Sequence, residues 1–136
     1  MNRSMSQQQL IDKLESAGIN ATAQRIAVCR YVFCEADHPT ADDVKVWADR
    51  NFPKMSLATV YNTLNTLVEA GLLRELRLPH SESAVYDCNT SVHHHFLDED
   101  SGRLIDLDEN DLEISLKLKR QFKVRQIEVL LKGTRS

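Results

Sequence analysis

A short break between two helical segments constrains the fold of this chain more than any other feature. Apolar residues at helical spacing predict a helix over 41–51, which Pro53 interrupts. Ser56 is a good N-cap for a second helix over 57–70, and Gly71 ends it. The two helices are thus separated by only a few residues around Pro53.

The elements on either side of this helix pair complete a known arrangement. Two earlier helices are predicted over 7–17 and about 22–35. After the pair, alternating residues predict strands over 72–78 and 84–88, joined by a turn at 79–83. Four helices followed by a hairpin is the element order of a winged helix-turn-helix domain.

The rest of the chain has a different character. We predict a hairpin from strands at 93–98 and 103–107, and a last strand over 124–131. Residues 109–122 alternate like a strand but also fit helical spacing, and we favour a helix because acidic residues fill its first turn and basic residues its last. The predicted class is therefore α+β. It has a winged-helix domain over 1–88, a linker at 89–92 and a small C-terminal α/β domain over 93–136.

Composition excludes several classes of protein. With 136 residues, 42% hydrophobic and 27% charged, the chain is expected to be globular rather than disordered. It has no apolar run long enough to span a bilayer, and its first residues do not resemble a secretory signal. Three cysteines without a C-x-x-C pair predict no disulfide framework. We expect a cytoplasmic protein with no membrane partner.

The net charge of −3 argues at first against a nucleic-acid partner, but it is unevenly distributed. Residues 1–78 contain nine basic and nine acidic residues, whereas residues 79–136 contain eight and eleven. The second half also holds three consecutive histidines. The chain therefore combines a neutral helical half with an acidic, histidine-bearing half suited to cations.

The helix beginning at Ser56 is the candidate DNA-reading element, because the second helix of such a pair enters the major groove. Its apolar stripe leaves short hydrogen-bonding side chains outward, which suit base edges and phosphates. These are Ser56, Thr59, Tyr61, Asn62 and Thr63, with Arg25 and Lys54 as candidate phosphate contacts. The alternative is a helical bundle with a polar outer face.

The histidine run is the candidate metal site. His93 and His95 lie two residues apart on a predicted strand, so their side chains share one face. Asp87 precedes them, Asp106 lies on the partner strand, and His38 lies at the turn before the third helix. Imidazoles and carboxylates without thiolate suit ferrous iron, manganese or zinc.

An ordered set of motifs resembles the ferric uptake regulator superfamily over residues 8–131. The motifs are Ala23-Gln24-Arg25, His38-Pro39-Thr40-Ala41-Asp42, Ser56-Leu57-Ala58-Thr59-Val60-Tyr61-Asn62-Thr63-Leu64, Ala70-Gly71-Leu72, Tyr86-Asp87 and His93-His94-His95. The resemblance implies a C-terminal dimerisation domain and a homodimer on palindromic operator DNA. It also implies a regulatory metal site formed by His38, Asp87, His93, His95 and Asp106.

Differences from the family pattern refine these expectations. The family's C-x-x-C is replaced by Asp98-Glu99-Asp100-Ser101, so no structural zinc bound by four cysteines is expected. Only His94 and Glu113 remain for a second metal site. Asp rather than Glu at position 87 is similar to the peroxide-sensing branch, in which bound iron oxidises nearby histidine ligands. Other features resemble the iron response regulator branch, which senses haem through its histidine cluster. They are the lack of structural zinc, Ser56-Leu57-Ala58-Thr59-Val60-Tyr61-Asn62-Thr63-Leu64 and Asn89-Thr90-Ser91-Val92-His93-His94-His95-Phe96.

We therefore predict a dimeric regulator, a repressor of iron-homeostasis or peroxide-stress genes, that uses Fe2+ or Mn2+, with Zn2+ able to bind in vitro. Metal would fix the angle between the two DNA-binding domains, and a dimer binds two half-sites only at the correct angle. Haem-responsive regulation is one alternative, and a metalloenzyme or a metal-buffering protein is another. The sequence offers no nucleophile, acid–base pair or cofactor loop, so we expect no enzyme activity.

Overall fold

The computed structural model describes residues 4–78, 81–91 and 93–136, which divide into two compact units. The first unit ends at Thr90 and the second begins at Ser91. No helix in these ranges has the length and apolar character that crossing a membrane requires. The elements are α1 (Gln7–Ser16), α2 (Ala23–Arg30), α3 (Ala41–Asn51), α4 (Leu57–Glu69), β1 (Arg74–Leu76), β2 (Val85–Asp87), β3 (His94–Asp98), β4 (Leu104–Leu107) and β5 (Leu130–Gly133).

The first unit has the predicted order of four helices and a hairpin, and the α+β class is confirmed. Each helix begins after a Ser or Thr whose side chain accepts a backbone N–H of the first turn. These caps are Ser6, Thr22, Thr40 and Ser56. β1 and β2 pair antiparallel, with Glu75 opposite Tyr86. The predicted turn between them lies partly outside the described residues.

An apolar core holds this unit together. The side chains with no exposed surface come from all four helices, so the core fixes α3 against α4. They include Leu10, Leu14, Val28, Cys29, Val44, Ala48, Val60 and Leu64.

The second helix differs from its prediction at its C-terminal end. It is α-helical only to Arg30, and Tyr31–Glu35 continue it as a π-type turn. Ala36 N–H donates to the Tyr31 carbonyl at 2.8 Å, five residues back, which widens the last turn. After this wider turn, the chain continues through Ala36 and Asp37 to His38.

The second unit is a three-stranded sheet in the order β4-β3-β5. β3 pairs antiparallel with β4 and parallel with β5. Leu104 is the one apolar side chain that is buried among the described residues of this unit. The sheet therefore has almost no apolar core of its own.

The helix that we favoured over 109–122 is wrong. Residues 112–119 form neither helix nor strand, and the described part of the second unit contains no helix. A helix of this length depends on packing an apolar face, and charges at its ends contribute less. Here the large side chains of that face are 38–54% exposed. They are Ile114, Leu116 and Leu118.

The last strand is shifted from its prediction as well. The alternation predicts a strand over 124–131, but β5 spans Leu130–Gly133. Its pairing begins at His95 opposite Leu130 and ends at Asp98 opposite Gly133. The extent of β5 therefore follows that of β3, and the Val129 carbonyl just before β5 still accepts the His95 N–H at 3.1 Å.

Candidate metal centre and nucleic-acid interface

One histidine–carboxylate pair lies in the first unit. His38 Nε2 lies 3.4 Å from Asp87 Oδ2, and the two side chains are only 7% and 4% exposed. The other ring nitrogen, Nδ1, lies 2.9 Å from a carboxylate oxygen of Asp37. Because a carboxylate can only accept, Nδ1 donates to Asp37 and its proton is held there.

Backbone contacts bring this pair together. His38 has φ of +47°, in the left-handed region that non-glycine residues rarely adopt. The next residue, Pro39, accepts the Tyr86 N–H at 2.8 Å, and Thr40 forms a bridge with Val85. The segment after His38 is thus attached to the strand that ends at Asp87. Strain at such a position is typical of functional sites.

A second cluster lies in the second unit. Asp106 Oδ1 is 3.4 Å from His93 Nε2 and 3.2 Å from His95 Nε2. The two imidazole rings meet edge to face, with centroids 4.6 Å apart. His95 and Asp106 are direct partners in the β3–β4 register, and His93 immediately precedes β3. The hairpin therefore gathers two imidazoles and one carboxylate.

Hydrogen bonds orient the ligand atoms in both clusters. His93 Nδ1 donates to the Ser91 carbonyl at 2.7 Å, which leaves the Nε2 lone pair directed at Asp106. Asp87 Oδ1 accepts the Asn89 N–H at 2.9 Å, which leaves Oδ2 beside His38. An imidazole lone pair and a carboxylate oxygen 3.2–3.4 Å apart attract each other only with a proton or a cation between them. Both clusters therefore fit a cation.

The cysteines are not in these clusters. Burial is the main cause that raises the pKa of the Cys29 thiol to about 12. The protonated thiol is a poor metal ligand. Cys34 and Cys88 are half-buried thiols. The donor set in the described clusters is nitrogen and oxygen only, which suits Fe2+, Mn2+ or Zn2+ rather than a metal that selects thiolate.

His94 and Glu113, predicted for a second metal or haem, both belong to the second unit. His94 Nδ1 accepts the Val129 N–H at 3.1 Å, so this ring helps to hold the chain before β5. Glu113 is exposed, outside any helix or strand. Nothing in the described residues brings the two into one cluster.

The predicted DNA-reading face lies on α4. Ser56, Tyr61 and Asn62 are exposed, and Thr59 is half-buried. Ser56 Oγ caps the helix and lies 3.1 Å from Thr59 Oγ1. The exposed side chains leave the first two turns open to a partner.

Thr63 was wrongly predicted to face outward. It is 5% exposed, and its hydroxyl donates to the Thr59 carbonyl at 2.9 Å. The position lies between Val60 and Leu64 on the helix, and both of these side chains are fully buried. Its side chain therefore belongs to the inward face.

The two candidate phosphate contacts differ in how they are held. Lys54 is exposed in the turn between α3 and α4. Arg25 lies in the first turn of α2, and its guanidinium donates to the Asn20 carbonyl at 3.2 Å.

Sequence reasoning missed Asp37, the hydrogen-bond partner of His38. The only signal for it was an acidic residue directly before a candidate ligand.

The family model described as "Ferric uptake regulator family" matches residues 16–132. The chain belongs to this family. The chain is also 38% identical over 96 residues to the peroxide-responsive repressor PerR of Staphylococcus aureus (strain Mu50). That match covers 71% of this chain and 64% of the relative, so the chain spans just under two thirds of the relative's length.

Solved structures of the ferric uptake regulator family share the fold. The ferric uptake regulator of Pseudomonas aeruginosa, solved with manganese, has a TM-score of 0.68 at 24% identity and covers 91% of this chain and 96% of its own. A structure of PerR from Streptococcus pyogenes, described as a basis for peroxide sensing and gene regulation, has a TM-score of 0.56 at 28% identity. It covers 96% of this chain and 91% of its own.

Proposed function

We propose that this chain is a metal-responsive, homodimeric transcription regulator of the cytoplasm, not an enzyme. The observation that carries the proposal is the set of histidine–carboxylate pairs at 3.2–3.4 Å, which are arranged for a cation rather than for a substrate. The same chain presents an exposed, uncharged polar face on α4. Family membership supports this combination of metal and DNA binding.

The proposed metal site takes ligands from both units. His38 and Asp87 form one half-site, and His93, His95 and Asp106 form the other. Neither half-site alone offers four protein donors, whereas the five together suit a four- to six-coordinate ion. Fe2+ or Mn2+ is the proposed physiological ion, and Zn2+ is expected to bind in vitro. When bound, the ion supplies positive charge that offsets the two carboxylates.

The proposed DNA contacts are made by α4 and its surroundings. Tyr61 and Asn62 lie at the exposed face, where an Asn amide can pair with adenine and a Tyr ring can contact a thymine methyl. Ser56 and Thr59 lie at the helix N-terminus, which favours phosphate. Arg25 and Lys54 are the proposed phosphate contacts. Because a homodimer presents this face twice, the operator is proposed to be palindromic.

The proposed dimer surface lies in the second unit. Its described residues bury one apolar side chain, whereas its large exposed apolar side chains are 38–56% accessible. Exposed apolar side chains gathered in one segment mark an interaction site. They are Ile114, Leu116, Leu118, Phe122, Val124 and Leu131.

The regulatory signal is proposed to be iron supply or peroxide. Relatives at 38% and 28% identity carry peroxide in their names or descriptions, and one is called a repressor. We accordingly propose repression of iron-homeostasis or peroxide-stress genes. Metal controls DNA binding only if it binds the DNA-competent state more tightly than the other state.

Duplex DNA selected from a random pool in the presence of Mn2+ provides the probe for a direct test. Fluorescence anisotropy of the selected duplex should show binding with Mn2+ and at least about tenfold weaker binding after chelation. His38→Ala and His95→Ala, one from each half-site, should each abolish the Mn2+ effect. Asp100→Asn, an exposed acidic residue outside both clusters, is the matched control and should retain it.

The outcomes separate the proposal from its rivals. DNA binding that ignores the chelator and both histidine variants would contradict metal-dependent regulation. Mn2+ binding without any selected duplex would indicate a buffering protein. If only one of the two variants lost the Mn2+ effect, one ion shared by both half-sites would be the wrong description of the site.

A further inference from the structure

Asp98 is a buried carboxylate that the proposed metal site does not use. It is the last residue of β3 and is 4% exposed. A carboxylate taken out of water is costly unless donors replace the water. The hydrogen-bond donors around Asp98 therefore indicate its role.

Three donors reach this carboxylate, two from the turn that follows it and one from the C-terminal segment. Asp98 Oδ1 accepts the Asp100 N–H at 3.1 Å, and Oδ2 accepts the Ser101 hydroxyl at 2.9 Å. Oδ2 also accepts from Arg135 Nε at 3.3 Å, a residue that follows β5. The carboxylate thus joins the end of β3, the turn after it and the C-terminal segment.

Backbone contacts follow the same path. The Asp98 N–H donates to the Arg103 carbonyl at 2.9 Å, and the Ser101 hydroxyl accepts the Arg103 N–H at 3.2 Å. On the other side of β3, Glu99 N–H donates to the Gly133 carbonyl at 2.8 Å. A side chain at Gly133 would begin 3.5 Å from the Phe96 ring, so β5 lies close against β3. These hydrogen bonds therefore connect the end of β3 to the neighbouring chain segments on both of its edges.

The register of the hairpin brings two of the proposed ligands together. Three residues before Asp98, His95 lies directly opposite Asp106. A one-residue slip would turn one of these side chains to the other face of the sheet. The unit has one buried apolar side chain among its described residues, so packing contributes little to holding the register. A polar network with all members paired can hold it instead.

We propose that Asp98, with Ser101 and Arg135, is a positioning residue that fixes the β3–β4 register and so holds His95 beside Asp106 for a divalent cation. The inference rests on the proposed metal-binding function. It adds a group that contacts no ligand atom but determines where two ligands lie. It also explains how the turn at residues 98–101, which contains no cysteine, is held by hydrogen bonds.

The test compares Asp98→Asn with Asp100→Asn. Both variants remove one negative charge from the same turn, but only the first changes a buried side chain, in which an NH2 donor replaces one of the two acceptor oxygens. Mn2+ affinity is measured by competition with a fluorescent chelator, and amide exchange at Gly102 and Arg103 is measured without metal. Asp98→Asn should speed exchange and weaken Mn2+ binding about tenfold, the lower end of the effect of removing residues that orient ligands. Asp100→Asn should leave both unchanged.

Milder variants keep the inference testable if Asp98→Asn unfolds the hairpin. Ser101→Ala removes one donor to Asp98 and the acceptor of the Arg103 N–H but keeps the charge, and it should weaken Mn2+ binding less than Asp98→Asn does. Arg135→Gln should weaken it as well, and the double variant Asp98→Asn/Arg135→Gln should lose less than the product of the two single effects, since both belong to one network.

The results distinguish this inference from the proposed function. If the wild type binds Mn2+ and Asp98→Asn binds it equally well, the positioning role is overturned while metal binding stands. The same holds if Asp98→Asn leaves amide exchange in the turn unchanged. If the wild type binds no Mn2+, both the metal function and the positioning role are overturned.

Discussion

The two units are stabilised in different ways. The first has an apolar core supplied by four capped helices. The second has three short strands, one buried apolar side chain among its described residues and a buried polar network around Asp98. We therefore expect the first unit to fold on its own packing and the second to depend on hydrogen bonds and, as proposed, on a metal ion and a second copy.

The half-sites reflect this difference. In the first unit, backbone bonds to β2 and a strained His38 place one imidazole beside one carboxylate. In the second unit, strand register alone places His95 beside Asp106. We therefore expect the first half-site to survive mutation of polar neighbours better than the second.

The largest expected effect is in the core of the first unit. Leu64→Ala removes a fully buried side chain from α4 and should lower the free energy of unfolding by roughly 2–5 kcal/mol. Leu116→Ala, in the second unit, removes a side chain that is 50% exposed and should change it by less than about 0.5 kcal/mol in the monomer. Urea unfolding followed by circular dichroism measures both. Equal losses would remove the distinction between the units.

Metal affinity should respond next. His95→Ala removes a proposed ligand, whereas removal of a residue that only orients ligands already costs about 10–100-fold. We therefore expect Mn2+ affinity to fall by more than about 100-fold, measured by isothermal titration calorimetry. Glu99→Gln, an exposed acidic residue of the same hairpin, is the control. An affinity within about twofold of wild type would remove His95 from the site.

The exposed segment of the second unit allows a test of the dimer. Leu118→Glu places a charge on the apolar face and should raise the dimer dissociation constant by about tenfold or more, since loss of a central apolar contact costs above about 1 kcal/mol. Ser115→Glu adds the same residue at an exposed neighbouring position and should have little effect. Analytical ultracentrifugation over a dilution series measures the constant. Equal effects of the two variants would place the dimer surface elsewhere.

A smaller effect is expected at the cap before α3. Thr40 Oγ1 accepts the Asp43 N–H at 3.0 Å, and Asp43 Oδ2 accepts the Thr40 N–H at 2.9 Å. Thr40→Ala should lower the free energy of unfolding by about 1 kcal/mol, and Thr40→Ser should restore most of it. Thermal unfolding of the three proteins tests this. A Ser variant as unstable as the Ala variant would argue against the cap.

The smallest effect concerns acid pH. The Ser101 hydroxyl is the main cause that lowers the pKa of the Asp98 carboxyl below its usual 3.8, aided by Arg135. The stabilisation is therefore complete above 3.8 and is lost as the pH falls through the lowered pKa. Carboxyl NMR titration should show Asp98 titrating below 3.8. Titration above 3.8 would contradict the hydrogen-bond network.

The sequence predicted the first unit well, because local signals and the final structure agree there. Thr40 and Ser56 cap α3 and α4 where caps were expected, and the helix pair and hairpin follow. Such signals act within a few residues of each other. The end of α2 was one exception, and Thr63 was another, because a polar residue at a buried helix position can satisfy its hydroxyl on the helix backbone.

The second unit was predicted less well for a physical reason. Residues 109–122 carry both a helical and a strand pattern, so the partner that covers them decides their structure, and a single sequence does not show that partner. Spacing did indicate that His93 and His95 share a face and that Asp106 lies on the next strand. The pairing of Asp98 with Arg135 joins residues 37 positions apart, which no local pattern could indicate.

The central claim is that metal binding and DNA binding are coupled. Coupling free energies are reciprocal, so the factor by which Mn2+ strengthens DNA binding must equal the factor by which DNA strengthens Mn2+ binding. The direct measurement is the Mn2+ dissociation constant with and without a saturating amount of the selected duplex. We predict that the duplex tightens Mn2+ binding by about tenfold or more. Equal Mn2+ affinities in its presence and absence would contradict the account.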